Sequence, residues 1–289
     1  MTKRNTVIFL VSTFLFSWIL WVPSVLEKFG IISLGSETVS NTIYFITIIL
    51  GAFGPAFGTF MALRNEKILF KTHLKKVIKT KKIKMLGLLL FIIILIPLAI
   101  NGFSLIIGRI FSLSIPPSPL PHDKWFMPYL LYIPYLLFVS ILGGGQEEIG
   151  WRGYLQGELL KKLSPEITSL IIGFFWGLWH TPLWFMIWDT HYYTPYIGFI
   201  LMTMSISFVY SYIYEKSQGN LLIMVLFHGS NNAAHALFYL FYDELPASAQ
   251  FLYWIYVAVN ILAAFIVIIL RIIQKRKLKN EKPPTLDSN

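Results

Sequence analysis

Long apolar stretches separated by short polar segments run through the whole chain. A transmembrane helix needs about 20 predominantly apolar residues, and these stretches are long enough for that. The pattern therefore predicts an all-α fold, a polytopic membrane helix bundle of about eight transmembrane helices. The predicted spans are residues 6–25, 43–63, 85–107, 125–146, 168–188, 195–214, 221–241 and 249–270.

The composition agrees with a membrane protein. Hydrophobic residues make up 56% of the 289 residues and charged residues 13%, whereas soluble domains average about 25% charged residues. The chain has no cysteine, which excludes disulfides, thiolate metal sites and a thiol nucleophile. The net charge of +10 does not require nucleic acid as a partner, because the bilayer explains where the positive charges lie.

Lysine and arginine are distributed unevenly between the segments that connect the spans. With the N-terminus in the cytoplasm, 21 of them lie on the cytoplasmic side and 3 on the other side. Cytoplasmic loops carry such an excess, so we predict a multi-pass protein of the cell membrane with both termini in the cytoplasm. Basic and apolar residues alternate from Arg64 to Lys84. This segment suits a helix bound to anionic lipid, and a solvated loop that only sets the topology is the alternative.

We divide this single membrane domain into three parts. Residues 1–124 hold the first three spans and the basic loop, residues 125–241 hold the next four spans, and residues 242–289 hold the last span and a basic tail. The central part carries polar residues inside or beside its apolar stretches. A charge at the bilayer centre costs at least about 2.5 to 3.5 kcal/mol, so these residues are candidates for a functional site.

Two adjacent carboxylates follow the run Gly143-Gly144-Gly145, which we expect to loosen the fourth helix. Glu148 and Arg152 stand four residues apart on one helical face, in the acid-before-base order that favours an ion pair. Glu147 lies about 100° further round the helix and stays outside that pair. A carboxylate in a partly dry cavity is a usable general base. An interfacial helix whose three charges face water is the alternative.

His180 lies in an aromatic run that has no other charged group. Pro182 follows two residues later and can kink the helix around the histidine. Gly173 and Gly177 on the same span would let it pack closely against a neighbour. For the depth of His180 to match that of the other polar residues, this helix must start near Pro165 or tilt. A histidine bonded to a neighbouring carbonyl for packing alone is the alternative.

His228 and Asn232 are four residues apart in the seventh span and therefore face the same way. An imidazole and an amide side by side can donate two hydrogen bonds to one oxygen, as the oxyanion of a tetrahedral intermediate requires. Hydrogen bonding between helices without catalysis is the alternative. We interpret His235 as structural. The remaining candidates are interpreted as solvated loop residues, namely His73, His122, Asp189 and His191.

Together these residues predict a hydrolytic site. A carboxylate with one histidine can activate water, and a second histidine with an asparagine can stabilise the oxyanion. The chain shows no activated serine or cysteine constellation, so attack by water is expected. Two other functions stay open. A catalytically silent immunity or binding protein would keep the pocket without cleavage, and a proton-coupled transporter would use the same groups as a relay.

The three motifs resemble those of the CPBP family, the CAAX-protease and bacteriocin-processing membrane proteases, also called the Abi family. The family pattern is Glu-Glu-x-x-x-Arg, then Phe-x-x-x-His, then His-x-x-x-Asn or Asp. Here it reads Glu147–Arg152, Trp176–His180 and His228–Asn232, with tryptophan in place of phenylalanine at the start of the second motif. The resemblance covers about residues 125–241.

The resemblance implies an intramembrane endopeptidase acting on a membrane-embedded or lipid-anchored substrate, with a catalytic cavity that faces the cytoplasm. Among bacterial members it also implies a link to bacteriocin processing or self-immunity. The implied roles are water activation by Glu147 and His180, oxyanion binding by His228 and Asn232, and helix fixing by Glu148 and Arg152.

Metal dependence stays open at this point. The family name says metalloprotease, and Glu147, His180 and His228 could form a zinc site with an open fourth position. However, the chain has no His-Glu-x-x-His motif, and Asn232 suits an oxyanion better than a metal. We therefore expect that no cofactor is required, with zinc as the alternative.

Overall fold

The computed structural model describes residues 3–78, 86–113, 124, 126–186, 189–238 and 247–280, and every regular element in these ranges is helical. The all-α fold class is confirmed. The helices are α1 (Lys3–Lys28), α2 (Glu37–Gly51), α3 (Gly54–Asn65), α4 (Phe70–Ile78), α5 (Leu86–Ile110), α6 (Met127–Leu142), α7 (Gly145–Leu159), α8 (Pro165–Trp179), α9 (Tyr196–Lys216), α10 (Leu221–Phe238) and α11 (Ala247–Asn280).

Fewer helices than the predicted eight have the length and composition of a complete membrane span. Among the described residues, α1, α5, α9 and α11 qualify alone. The pairs α2/α3 and α6/α7 are each bent by 41°, and counting each pair as one span gives six. The two other predicted spans correspond to α8 and α10, which have 15 and 18 residues.

Helix α8 differs from the predicted span 168–188. It begins earlier, at Pro165, where the Ser164 hydroxyl accepts a hydrogen bond from the Ile167 amide. It also ends earlier, at Trp179. The reason for the early end is Pro182, which lacks an N–H donor and disfavours helical geometry in the residue before it. The start near Pro165 is as predicted, and it brings the C-terminal end of α8 to the level of the other polar residues.

The chain breaks between α6 and α7 at the predicted glycine run. Gly144 has a φ of +125°, a backbone conformation that favours glycine. A side chain on Gly145 would collide with the backbone of Ser140, so the turn is as tight as glycine allows. The expected loosening of this helix is confirmed. Within α7, residues Trp151–Gln156 form a π-helical turn, a feature that occurs frequently at functional sites.

Helix α9 lies at the centre of the bundle, and 67% of its most apolar 18-residue stretch is buried. Gly173 and Gly177 of α8 face it, and a Cβ atom on Gly173 would lie 2.4 Å from the Cα atom of Met204. A Cβ atom on Gly177 would lie 2.6 Å from the Thr203 hydroxyl oxygen. The predicted close approach of this helix to a neighbour is therefore confirmed, and it fixes the position of the residues that follow α8.

The basic loop contains the short helix α4, while residues 79–85 lie outside the described part. The prediction that His73 is solvated is wrong, because its Nε2 atom donates to the Gly153 carbonyl at 2.9 Å. Burial lowers the pKa of His73, and the bond to Gly153 opposes this only in part. His122 lies outside the described residues.

Candidate active site

Glu147 is held at the first turn of α7, directly after the glycine break. Its side chain is buried, with 5% of the residue exposed. Its Oε2 atom accepts a hydrogen bond of 2.8 Å from the indole nitrogen of Trp176. An ion pair with Arg152 was not expected for this carboxylate, and none is found among the described residues. Glu147 therefore remains a carboxylate that is oriented but not paired with a cation.

Glu148 and Arg152 form the predicted ion pair, at 3.1 Å, and both side chains are fully buried. The same Oε1 atom of Glu148 accepts a second hydrogen bond, of 2.7 Å, from Nδ1 of His228. The guanidinium group of Arg152 also donates to the Ser207 hydroxyl at 3.2 Å and lies over the ring of Tyr210. Glu148 thus connects Arg152 with His228, one of the predicted catalytic histidines.

His180 occupies the C-cap position of α8. Its Nδ1 atom donates to the Trp176 carbonyl oxygen at 2.7 Å, so Nε2 is the nitrogen left for water or substrate. Trp176 therefore contacts both predicted water-activating residues, Glu147 through its side chain and His180 through its backbone. This arrangement follows from the position of Trp176 one helical turn before His180.

His228 and Asn232 converge on one small space beside Gly144. A Cβ atom built on Gly144 would lie 2.7 Å from Nε2 of His228 and 2.7 Å from Nδ2 of Asn232. One amide hydrogen of Asn232 is already bonded to the Gly143 carbonyl, at 2.7 Å. The other remains for a bound oxygen, because an asparagine amide has two donors. Donation from Nε2 of His228 as well requires the protonated ring, because its Nδ1 atom already donates to Glu148.

A cavity of about 370 Å³ brings the predicted catalytic residues together. Glu147, His180, His228 and Asn232 all lie in its wall, although they come from α7, the end of α8 and α10. Half of the remaining lining residues are aromatic or apolar, and the other half are polar. Its other lining residues are Tyr135, Trp176, Thr190, His191, Phe199, Met202, Thr203, Asn231, His235 and Ala236.

The cavity extends towards the end of the bundle where α8 ends and α9 begins, because Thr190 and His191 lie in its wall. In the predicted topology this end is not the cytoplasmic one, because the basic loops lie at the other end. If the termini are cytoplasmic, the cavity extends towards the other side of the membrane. The cytoplasmic termini and the cytoplasm-facing cavity therefore remain two separate predictions.

The interpretation of Asp189 and His191 as solvated loop residues is wrong. Asp189 is 7% exposed, and its Oδ1 atom accepts hydrogen bonds from Nδ1 of His191 at 2.6 Å and from its backbone amide at 2.9 Å. Its Oδ2 atom accepts from the Tyr44 hydroxyl at 3.0 Å. The bond from Tyr44 holds the loop against α2, and within the loop the Trp184 indole donates to the Thr194 carbonyl at 2.6 Å.

His235 is buried and has the structural contacts that we predicted. Its Nδ1 atom donates to the side-chain oxygen of Asn101 at 3.0 Å, and its Nε2 atom lies 3.1 Å from both Asn231 and the Tyr256 hydroxyl. These bonds join α10 to α5 and α11. His235 also lines the cavity, so it connects the wall of the site to the surrounding helices.

Three features of the site were not identified in the sequence. The glycine run indicated a broken helix, but not that Gly144 leaves room beside His228. The aromatic position of the second motif gave no sign that the Trp176 indole would reach Glu147. The spacing Asp189-x-His191 is present in the sequence, but it indicates a residue pair at the site only once the fold places this loop beside the cavity.

The zinc alternative does not fit the arrangement of donors. Within the described ranges, no three His, Asp or Glu side chains are grouped closely enough to bind one metal ion. Of the three candidate ligands, His228 and Glu147 lie near different partners, Glu148 and Trp176.

Comparison with known proteins agrees with this geometry. A family model described as Type II CAAX prenyl endopeptidase Rce1-like matches residues 129–234, the region that contains all three motifs. CAAX prenyl protease 2 from Methanococcus maripaludis is 26% identical over 235 residues, which cover 78% of this chain and 82% of that protein. Over its motif region the chain is therefore similar to a type II CAAX prenyl endopeptidase, and over most of its length to a CAAX prenyl protease.

These similarities favour a protease among the functions that the sequence left open. A CAAX protease acts on a membrane-associated protein substrate, which agrees with a cavity inside a helix bundle. The family match, over residues 129–234, lies within the range 125–241 that carries the three motifs.

Proposed function

We propose that this endopeptidase hydrolyses a peptide bond of a membrane-embedded or lipid-anchored substrate by direct attack of water, without a metal. The observation that carries the proposal is the single cavity lined by Glu147, His180, His228 and Asn232. They supply a carboxylate base, an imidazole beside it and two hydrogen-bond donors for an oxyanion. Amide hydrolysis by water requires this set of groups.

Glu147 and His180 activate the water in this mechanism. Glu147 is desolvated, so its carboxylate is a stronger base than one in water. Its second oxygen is fixed by Trp176, which leaves Oε1 for the water. His180 is fixed through Nδ1, which leaves Nε2 as a second acceptor. A base with a single orientation avoids the cost of reorganisation in the transition state.

His228 and Asn232 stabilise the oxyanion. Their nitrogens face one point beside Gly144, so an oxygen placed near that point receives two hydrogen bonds. Glu148 orients the ring of His228 through Nδ1, and Arg152 balances the charge of Glu148. One oxyanion donor contributes on the order of 100-fold or more to kcat.

The substrate class follows from the family and from the walls of the cavity. The relative from Methanococcus maripaludis is named a CAAX prenyl protease, and Tyr135, Phe199 and Met202 give this cavity apolar walls. We therefore propose a substrate segment that carries a lipid or lies in the bilayer. Bacteriocin processing or self-immunity is the biological setting that the family resemblance supports.

The test compares membrane peptides from cells that produce the wild type or the Glu147→Gln variant. We expect peptides that are present with the wild type and absent with the variant, at equal protein levels. An equal peptide content would overturn the proposal and favour a silent binding protein. Proton-coupled uptake into proteoliposomes without product peptides would instead indicate a transporter.

A further inference from the structure

The short helix α4 has two faces of different character. The residues at helical spacing on one face are partly buried against the bundle, namely Phe70, His73, Leu74 and Val77. The other face carries exposed lysines, namely Lys71, Lys75 and Lys76. In the part of the chain that the structure describes, no carboxylate forms an ion pair with any of them. The outer face of α4 is therefore a cationic surface whose charge is not neutralised within the bundle.

The inner face of α4 is attached to α7, the helix that carries Glu147. Nε2 of His73 donates to the Gly153 carbonyl at 2.9 Å, and Gly153 lies in the π-helical turn of α7. The ring of His73 also packs edge-on against the ring of Tyr154, with 6.0 Å between the centroids. The Tyr154 hydroxyl donates to Oε1 of Glu66 at 2.9 Å, at the end of α3. The π-helical turn is thus held from both sides of the α3–α4 connection.

The start of α4 lies beside the lipid-facing surface of α3. Phe60 of α3 is 42% exposed in a bent helix pair that is apolar enough to span a membrane, so its ring faces lipid. Phe70 packs edge-on against this ring, with 6.2 Å between the centroids. Ile68 and Leu69, directly before α4, are 42% and 75% exposed. Exposed apolar side chains next to lysines are typical of a segment that lies at the level of the lipid headgroups.

The charge of α4 and its position at the edge of the bundle favour the same partner. We propose that α4 binds the anionic headgroups of the bilayer through its lysines, and that this binding fixes α7 through His73. A soluble acidic partner would neutralise the lysines but would leave Leu69 in water. Each lysine near an anionic membrane surface increases the affinity about fivefold. The headgroup site is independent of the proposed function, whereas its effect on cleavage rests on that function.

A fluorophore on α4 tests the headgroup site without any measurement of cleavage. Thr72 is exposed on the outer face and the chain has no cysteine, so Thr72→Cys carries a single environment-sensitive label. The full chain is placed in nanodiscs of phosphatidylcholine, or of equal parts phosphatidylcholine and phosphatidylglycerol. We expect emission to shift to the blue with phosphatidylglycerol. About 1 M salt should reverse the shift, because the Debye length falls to about 3 Å.

Two sets of substitutions with the same change in charge locate the site. Replacing the three lysines of α4 by glutamine, in Lys71→Gln/Lys75→Gln/Lys76→Gln, should abolish the blue shift. The matched control is Lys275→Gln/Arg276→Gln/Lys277→Gln, which removes the same charge from exposed positions near the end of α11 and should retain it. All of these side chains are exposed, so both variants should elute from size exclusion as the wild type does.

Cleavage of a prenylated fluorogenic peptide in the same nanodiscs tests the connection to α7. For the wild type we expect phosphatidylglycerol to raise kcat about two- to tenfold, the range that one hydrogen bond supplies. His73→Phe keeps an aromatic ring beside Tyr154 but removes the bond to the Gly153 carbonyl. In this variant the blue shift should remain, and the rise in kcat should be lost.

The outcomes separate the three levels of the argument. Equal emission in both lipids, or loss of the shift in the α11 control as well, would overturn the headgroup site on α4. A shift caused by soluble polyphosphate but not by phosphatidylglycerol would assign the lysines to a soluble acidic partner instead. A blue shift without any rise in the kcat of the wild type would overturn the connection through His73 and leave the protease intact. If the wild type cleaves in neither lipid, the proposed function fails for prenylated peptides and the connection fails with it, while the emission still decides the headgroup site.

Discussion

The indole nitrogen of Trp176 donates a hydrogen bond of 2.8 Å to the carboxylate of Glu147. The family pattern has phenylalanine at this position, which has no donor. The backbone carbonyl of the same residue holds His180. In this chain one tryptophan therefore sets the positions of both residues proposed to activate water, and the departure from the family pattern adds a contact.

Replacing the tryptophan by the family residue tests that contact. Trp176→Phe keeps an aromatic ring and the carbonyl that holds His180, but it removes the hydrogen bond to Glu147. A hydrogen bond to a charged group is worth about 1.5 to 3 kcal/mol, so kcat should fall about 10- to 100-fold with a smaller change in KM. Steady-state kinetics on a fluorogenic peptide with an S-farnesyl cysteine followed by three residues measure both constants. An unchanged kcat would mean that Glu147 needs no partner.

The space beside Gly144 gives a second prediction. In Gly144→Ala the new methyl group would lie 2.7 Å from both oxyanion donors, so kcat should fall at least about 100-fold. The positive φ adds strain, and Gly35→Ala is the matched control because Gly35 has a φ of +120° and lies outside the catalytic cavity. Comparable inactivation in the control would show that backbone strain alone explains the loss.

The buried ion pair gives a prediction about stability. Arg152→Met leaves the carboxylate of Glu148 buried without its cation, and such a change costs about 3 to 5 kcal/mol. The exposed pair of Lys161 and Glu158 is the comparison, because Lys161→Met should cost less than about 1 kcal/mol. Unfolding of the purified variants in the same detergent measures the difference. Similar midpoints for the two variants would contradict the structural role of Arg152.

Local patterns predicted the parts of the site that depend on neighbours in sequence. The four-residue spacing gave the pair of Glu148 and Arg152, the glycine run gave the helix break, and the motif spacing gave the cavity residues. The contacts between Trp176 and Glu147 and between His228 and Glu148 join different helices, so no spacing reports them. The early end of α8 was missed because the apolar residues continue past Pro182, whereas the α-helix ends at Trp179.

Metal dependence can be tested without knowing the natural substrate. If water is activated by Glu147 and His180 alone, extensive dialysis against a zinc chelator should leave the rate of peptide cleavage unchanged. The donor arrangement supports this expectation, because the described residues hold no group of three ligands. Loss of cleavage on dialysis, with recovery on adding zinc but not magnesium, would reject the metal-independent mechanism.

The absence of natural cysteines makes the orientation of the bundle directly measurable. Lys161→Cys places a thiol at the basic end, on a side chain that is 57% exposed. Ile31→Cys places one at the other end, where the residue is 66% exposed. That end also contains the loop after α8, because Lys28 lies 4.0 Å over the ring of Tyr192. Charge asymmetry predicts that a membrane-impermeant maleimide labels Ile31→Cys in intact cells and Lys161→Cys only after permeabilisation.

Thr190→Cys then reports the side from which the catalytic cavity is reached, because Thr190 lies in its wall. We expect it to be labelled together with Ile31→Cys, since both lie at the end of the bundle away from the basic helices. Substrate would then approach from the side opposite to the termini. Labelling of Thr190→Cys only under the conditions that label Lys161→Cys would instead support a cavity that faces the cytoplasm, and it would require an opening between the helices rather than at the loop.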